Sequence, residues 1–121
     1  MARGELGRVW KDGEIFFRAG EGGSDMYVIQ QGRVEVLVEQ DGRETRIATL
    51  GPGDILGEMA IFEQEPRSAT VRALGEVRAI TVDRKNLLSR ISEDPTLAFR
   101  LIRTLSRRVR ELNREVAKLR A

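Results

Sequence analysis

Four successive apolar runs, EIFFRAG (residues 14–20), MYVIQQG (26–32), RVEVLVEQDG (33–42) and TRIATLGPG (45–53), each close on a glycine. That punctuation constrains the fold more than any other feature of the chain, because glycine takes the positive-φ turns that a Cβ opposes. It predicts short strands arranged as an antiparallel roll. Within RVEVLVEQDG, Val34, Val36 and Val38 alternate with Glu35 and Leu37, which places the valines on one face, and Asp41–Gly42 is a strong hairpin signal. GPGD at 51–54 marks a second tight turn, and ATVRALGEVRAITVD (69–83) reads as two further strands broken at Gly75.

The strand pattern stops at Asp83. DRKNLLSRISED looks helical with Asp83 as its N-cap, Pro95 sits where helices start, and no glycine or proline follows. One helix of roughly seven turns is expected from there to the C-terminus. Its apolar residues Ile102, Leu105, Val109, Leu112, Val116 and Leu119 step by three and four, as the a and d positions of a heptad do. β-branched residues fall at a and leucines at d, the combination that favours a parallel two-stranded coiled coil, with Glu115 and Arg120 placed to pair across it. A homodimer through this helix is the expectation; the alternative is that the stripe packs on the chain's own roll. The class is therefore mainly β with C-terminal helices. An antiparallel, jelly-roll-like β-roll over about residues 10–83 precedes a long dimerisation helix in a helical segment over about 84–121.

At 121 residues the chain fits one domain, 1–121, with one core. It contains neither cysteine nor histidine, which removes disulfides, Cys/His zinc sites, thiol nucleophiles and imidazole bases together. No catalytic residue, metal site or cofactor is expected, and an enzyme is argued against, although acidic residues alone can still bind a hard cation. No run of eighteen apolar residues occurs and the N-terminus lacks the apolar core of a signal peptide, so the expectation is a cytoplasmic protein with no membrane contact. The pI near 9.5 sounds basic, but the net charge is only +2, so any anionic partner must be argued locally.

ILGEMAIFEQEPRSAT (55–70) breaks the strand pattern with a mixture a core strand does not need. Gly57 allows close approach, EMAIF can form one helical turn whose first amides point outward, Arg67 offers a guanidinium fork, and Ser68 and Ala69 are small. Together these suit an anion such as a phosphodiester. Glu58 would repel a phosphate but accepts hydrogen bonds from a sugar hydroxyl, so the pair suits a nucleotide, with Val34, Val36 and Ile47 as an apolar cover for its base. The plainer alternative is that Glu58 and Arg67 form an ordinary surface ion pair.

The run GEMAIFEQEPRSATVRA from Gly57 to Ala73 resembles the phosphate-binding cassette of the cyclic nucleotide-binding domain, a family found in bacterial catabolite activators, kinase regulatory subunits and ion channels. GEIFFRAGEGGSDMYVIQQGRVEVL, LGPGDILGEMA and RSATVRA are similar to its successive motifs in family order. The resemblance implies that Glu58 binds the ribose 2′-hydroxyl and Arg67 the cyclic phosphate. The amides around Gly57, Met59, Ala60, Ser68 and Ala69 would complete the cradle, and Val36, Ile47 and Leu56 would line the base pocket. The long helix would cap the purine through Arg108, Leu112 and Asn113. Cyclic AMP is the favoured ligand; cyclic GMP is second, because a hydroxyl such as that of Ser68 can contact guanine.

Two departures from the family stand out. The helix that often precedes the first strand is reduced to MARGELGRVWKDG, room for at most a brief turn, and no helix-turn-helix is read in the 121 residues. The basic run RTLSRRVRELNREVAKLR can in principle lie in a major groove but reads better as a solvated helix face, so direct DNA binding is not expected. The expected function is a cyclic-nucleotide sensor that signals through its long helix. A dimeric interaction module that binds no nucleotide is the alternative, and a cupin-type enzyme is set aside by the absence of histidine.

Overall fold

A computed structural model describes residues 6–120, apart from the side chain of Arg120. The elements are β1 (Arg8–Trp10), β2 (Ile15–Phe17), β3 (Asp25–Gln40), β4 (Arg43–Leu50), β5 (Ile55–Leu56), α1 (Glu58–Phe62), β6 (Thr70–Asp83), α2 (Arg84–Glu93) and α3 (Thr96–Arg120). All strand pairings are antiparallel: β1, β6, β3 and β4 lie side by side, β2 also pairs with β6, and β5 with β3. This is the antiparallel roll followed by C-terminal helices that the glycine punctuation predicts.

Three local expectations are corrected. MYVIQQG and RVEVLVEQDG are one strand, and ATVRALGEVRAITVD is one strand from Thr70, because Gly32 and Gly75 act as bulges inside paired strands rather than as turns. Gln31 pairs with Arg78 and Arg33 with Leu74, so β6 carries extra residues there. Gly32 has φ +87, and a Cβ on it would lie 2.3 Å from the Glu76 carbonyl oxygen, so only glycine fits. The valine alternation holds for Val34 and Val36, which share one cluster; Val36 and Val38 are both half-buried, and the irregularity opposite Val36 and Leu37 lies on β4, where Ile47 is the extra residue. The N-terminal segment forms strand β1 on β6 rather than a helical turn; residues 1–5 of it lie outside the described residues.

The two long strands divide the core between their faces. Tyr27, Ile29, Val77 and Ala79 face an aromatic cluster in which Trp10 stacks on Phe16 at 4.2 Å. Met26, Val28, Ile80 and Val82 face the other way and receive Leu87 of α2 and Leu97 and Leu101 of α3. That period of two is what a sheet covered on both sides needs. Asp83 caps α2 as expected, its Oδ1 accepting from Asn86 N at 2.8 Å.

α3 presents two different stripes. Leu97, Leu101 and Thr104 are buried against the roll. The heptad residues are not: Ile102 is 66 % exposed, Val109 57 % and Leu112 60 %, with Leu105, Val116 and Leu119 exposed as well. The alternative in which the seam packs on its own roll is therefore overturned. The roll takes a separate set of residues on the same helix. Among the described residues no helix is long and apolar enough to cross a membrane.

Candidate functional site

β5 delivers the chain to α1 through Gly57, whose φ of +81 is left-handed; a Cβ there would lie 2.6 Å from a guanidinium nitrogen of Arg67 and 3.1 Å from the Asp25 carbonyl oxygen. Glu58 follows as the first residue of α1 and is 0 % exposed. Arg108 of α3 donates to Glu58 Oε1, and its second nitrogen approaches the Ile55 carbonyl at 3.4 Å. Among the described residues the buried Oε2 has no partner. A carboxylate held in this way is half satisfied, and its remaining lone pairs face a cost that a donor would relieve.

Arg67 is buried beside it. Its backbone is fixed by the glycine-rich loop before β3, with Gly20 N donating to Arg67 O at 2.7 Å and Arg67 N to Glu21 O at 2.9 Å. Its guanidinium donates to the carbonyls of Asp25 (2.8 Å) and Gly57 (3.2 Å) and lies 4.1 Å over the Phe17 ring, while among the described residues the buried Nε has no partner. Gly23 closes the slot, since a Cβ on it would come within 2.7 Å of Nη2. Among the described residues Glu58 and Arg67 are not paired with each other, so the surface ion-pair alternative does not apply.

The other candidate residues are placed unevenly. Met59 is exposed and Ala60 buried on α1; Ser68 is exposed and Ala69 buried in the segment leading to β6. Glu58 and Met59 open α1, where helix amides have no intrahelical acceptor, and among the described residues the Ser68 and Ala69 amides meet no backbone carbonyl. Leu56 belongs to the aromatic core cluster and Val36 packs against it. Ile47 is not brought to that cluster: Val36 pairs with Ala48 and Leu37 with Arg46, leaving Ile47 on the bulge and 58 % exposed. Arg108 reaches the site, whereas Leu112 and Asn113, farther along α3, are exposed. Burial pushes the Arg108 guanidinium below its ordinary pKa, against the fields of Glu111 and Asp54, which raise it.

Sequence reasoning missed several contributors. Asp25, Gly23 and Phe17 form the seat of Arg67, and Arg107 ties α3 to Asp54 in the turn before β5 at 3.2 Å. GEGGSD carried a signal for the first two, since adjacent glycines outside a tight turn suggest close approach by another group. The Arg107–Asp54 contact joins residues 53 positions apart, and no local pattern announces it. Among the described residues no group of three or more acidic side chains is placed to hold a metal ion.

A family model described as cyclic nucleotide-binding domain matches residues 7–94. The chain is similar to a CRP-like cAMP-activated global transcriptional regulator of Mycobacterium tuberculosis, 38 % identical over 108 residues that cover 88 % of this chain and 48 % of that protein. Among solved structures it is similar to the catabolite activator protein of Thermus thermophilus, with TM-score 0.80, 31 % identity, and coverage of 93 % of this chain and 53 % of that one. An EAL enzyme is similar in its cAMP-bound form, with TM-score 0.65, 34 % identity, and coverage of 91 % of this chain and 30 % of that one. Its cGMP-bound form gives TM-score 0.65, 33 % identity, and coverage of 92 % and 30 %. The chain spans about half the length of the M. tuberculosis regulator it matches.

Proposed function

The chain belongs to the cyclic nucleotide-binding domain family, and from that premise we propose that it is a cyclic-nucleotide sensor, with cyclic AMP as the favoured ligand and cyclic GMP second. One observation carries the reading. Among the described residues a buried carboxylate oxygen of Glu58 and a buried guanidinium nitrogen of Arg67 have no partners; Glu58 directly follows Gly57, and Arg67 donates to the Gly57 carbonyl. An anion with an adjacent hydroxyl answers both. Glu58 Oε2 would accept from the ribose 2′-hydroxyl. Arg67 and the amides around Gly57, Met59, Ala60, Ser68 and Ala69 would hold the cyclic phosphate. Val36, Ile47 and Leu56 would cover the base, and Arg108, Leu112 and Asn113 would close over it from α3.

The unit works as one domain, roll plus helices, and as a homodimer, because α3 carries a regular apolar seam that its own roll leaves uncovered. The output passes through α3, the element that touches both Glu58 and the seam. Ligand binding can move it only if the ligand has different affinities for two arrangements of that helix. The role is regulatory, as the name of the M. tuberculosis relative suggests, and the location is cytoplasmic. Calorimetric titration with cyclic AMP and cyclic GMP tests the reading. Saturable binding with cyclic AMP tighter supports it; no binding of either at millimolar nucleotide sinks it and favours a dimeric interaction module.

A further inference from the structure

The end of α1 away from Glu58 is completed by a residue of another element. Arg84, the first residue of α2, donates from Nε to Ile61 O at 2.9 Å and from Nη2 to Ala60 O at 3.0 Å. α1 has five residues and no basic side chain in its last turn. So short a helix is not stable alone, and its final carbonyls need partners from outside, the more so because Ala60 and Ile61 are buried. A guanidinium fork on two consecutive carbonyls supplies them at the negative end of the helix dipole.

For α2 the same placement is adverse. A cation at the first position of a helix opposes that helix's own dipole, and the capping of α2 is already done by Asp83 through Asn86 N. Such a conflict between local preference and position is expected where a residue serves a site. The apolar contacts run in the same direction: Ile61 of α1 shares a cluster with Leu87 of α2 and Leu97 of α3.

We propose that Arg84 is a positioning residue for the nucleotide site, holding α1 from behind so that Glu58 and the α1 amides keep their aim, and tying that aim to α2 and, through it, to α3. This rests on the nucleotide reading above. Because coupling is reciprocal, a ligand that fixes α1 also fixes α2, and a displaced α2 loosens the cassette. Arg84 is itself exposed, so its removal leaves the core intact.

The test compares wild type, R84A, R84K and a neighbouring control, K85A. Each is titrated with cyclic AMP and cyclic GMP, and amide hydrogen exchange is followed without nucleotide. R84A should bind about tenfold more weakly, equivalent to about 1.4 kcal/mol. R84K should recover part of this because an ammonium can serve one of the two carbonyls, and K85A should match wild type. The amides of Ala60 and Glu63, which donate to Gly57 O and Met59 O within the α1 turn, should exchange faster in R84A. Unchanged affinity in R84A, or a loss that K85A shares, overturns the proposal. If wild type binds neither nucleotide, the ligand reading falls and exchange still judges Arg84: faster α1 exchange in R84A supports the tie, and equal rates overturn it.

Discussion

Two regions of the roll bury a carboxylate, and they treat it in opposite ways. On the strands, Glu35 is 7 % exposed and both its oxygens are answered, Oε1 by Arg46 Nε at 3.0 Å and Oε2 by Arg72 Nε at 2.8 Å, with Glu44 holding Arg72 from the other side at 3.2 Å. At the α1 corner, Glu58 is 0 % exposed, one oxygen takes Arg108, and the other takes nothing. Burial of charge is common to both and so identifies neither as a site. The difference lies in the unfilled acceptor, matched by the unfilled Arg67 Nε nearby. A satisfied network braces three strands; a half-satisfied one is shaped for something else.

The largest test removes the cation of the half-satisfied corner. Arg67→Ala should weaken cyclic nucleotide binding by about 2 to 5 kcal/mol, since it takes away the charge partner of a phosphate in a partly buried place. That is about thirtyfold or more in affinity, read by calorimetry. Near-unchanged affinity would put the phosphate elsewhere and remove the contrast between the two regions.

A similar contrast runs along α3, between residues whose partners are present and residues whose partners are not. Leu97 is 0 % exposed in the helix-facing cluster, and Leu97→Ala should cost about 2 to 5 kcal/mol of unfolding free energy. Leu112 is 60 % exposed, so Leu112→Ala should change the stability of the monomer by no more than about 0.5 kcal/mol while weakening self-association. Denaturant unfolding and sedimentation of the two variants separate the effects. A Leu112→Ala penalty as large as that of Leu97→Ala, with the protein monomeric throughout, would mean the seam already has its partner.

Exchanging each carboxylate for an amide separates the two regions by function. Glu58→Gln should lower nucleotide affinity by about 1.5 to 3 kcal/mol, the worth of a hydrogen bond to a charged group. Its effect on unfolding should be small, because the neutral amide removes a buried charge that was only half paired. Glu35→Gln should do the reverse, lowering stability and leaving affinity alone. Equal losses of affinity in the two variants would make the distinction between site and brace untenable.

How much of this was legible depends on whether the cause is local. The turn of α1 and the Asp83 cap follow from residues within a few positions of one another, and the long helix and its seam follow from periodicity. Gly32 and Gly75 misled because a positive-φ glycine serves a bulge as well as a turn, and which it serves depends on the strand opposite. The setting of Ile47 was illegible for the same reason: the irregularity opposite Val36 and Leu37 puts it outside the regular pairing and leaves it 58 % exposed. The seat of Arg67, the Arg108 bond to Glu58 and the Arg84 fork join residues 42, 50 and 23 to 24 positions apart, so only the fold brings them together. The paired glycines of GEGGSD hinted at the first and the family resemblance named Arg108 for the second, whereas Arg84 left only the trace of a cation at a helix start.

The smallest expected effect is a pH dependence that belongs to the brace. Arg72 first, and Arg46 with it, hold the Glu35 carboxyl below its ordinary value of 4.5, against the opposing effect of its burial. Around pH 4.5 the unfolded chain therefore binds this proton more readily than the folded one, and folding stability rises with pH there. The contribution is fully present above pH 4.5, erodes as pH falls below it, and is gone below the lowered folded-state value. Both arginine side chains keep substantial solvent contact, 52 % for Arg46 and 33 % for Arg72, so the interaction is screened and should shrink further in high salt. Thermal unfolding from pH 6 to pH 3 should fall less steeply for Glu35→Gln than for wild type, and the gap between the curves should narrow with added salt. Parallel curves would mean that Glu35 gains nothing from its arginines, and a second observable would then be needed to tell the two buried carboxylates apart.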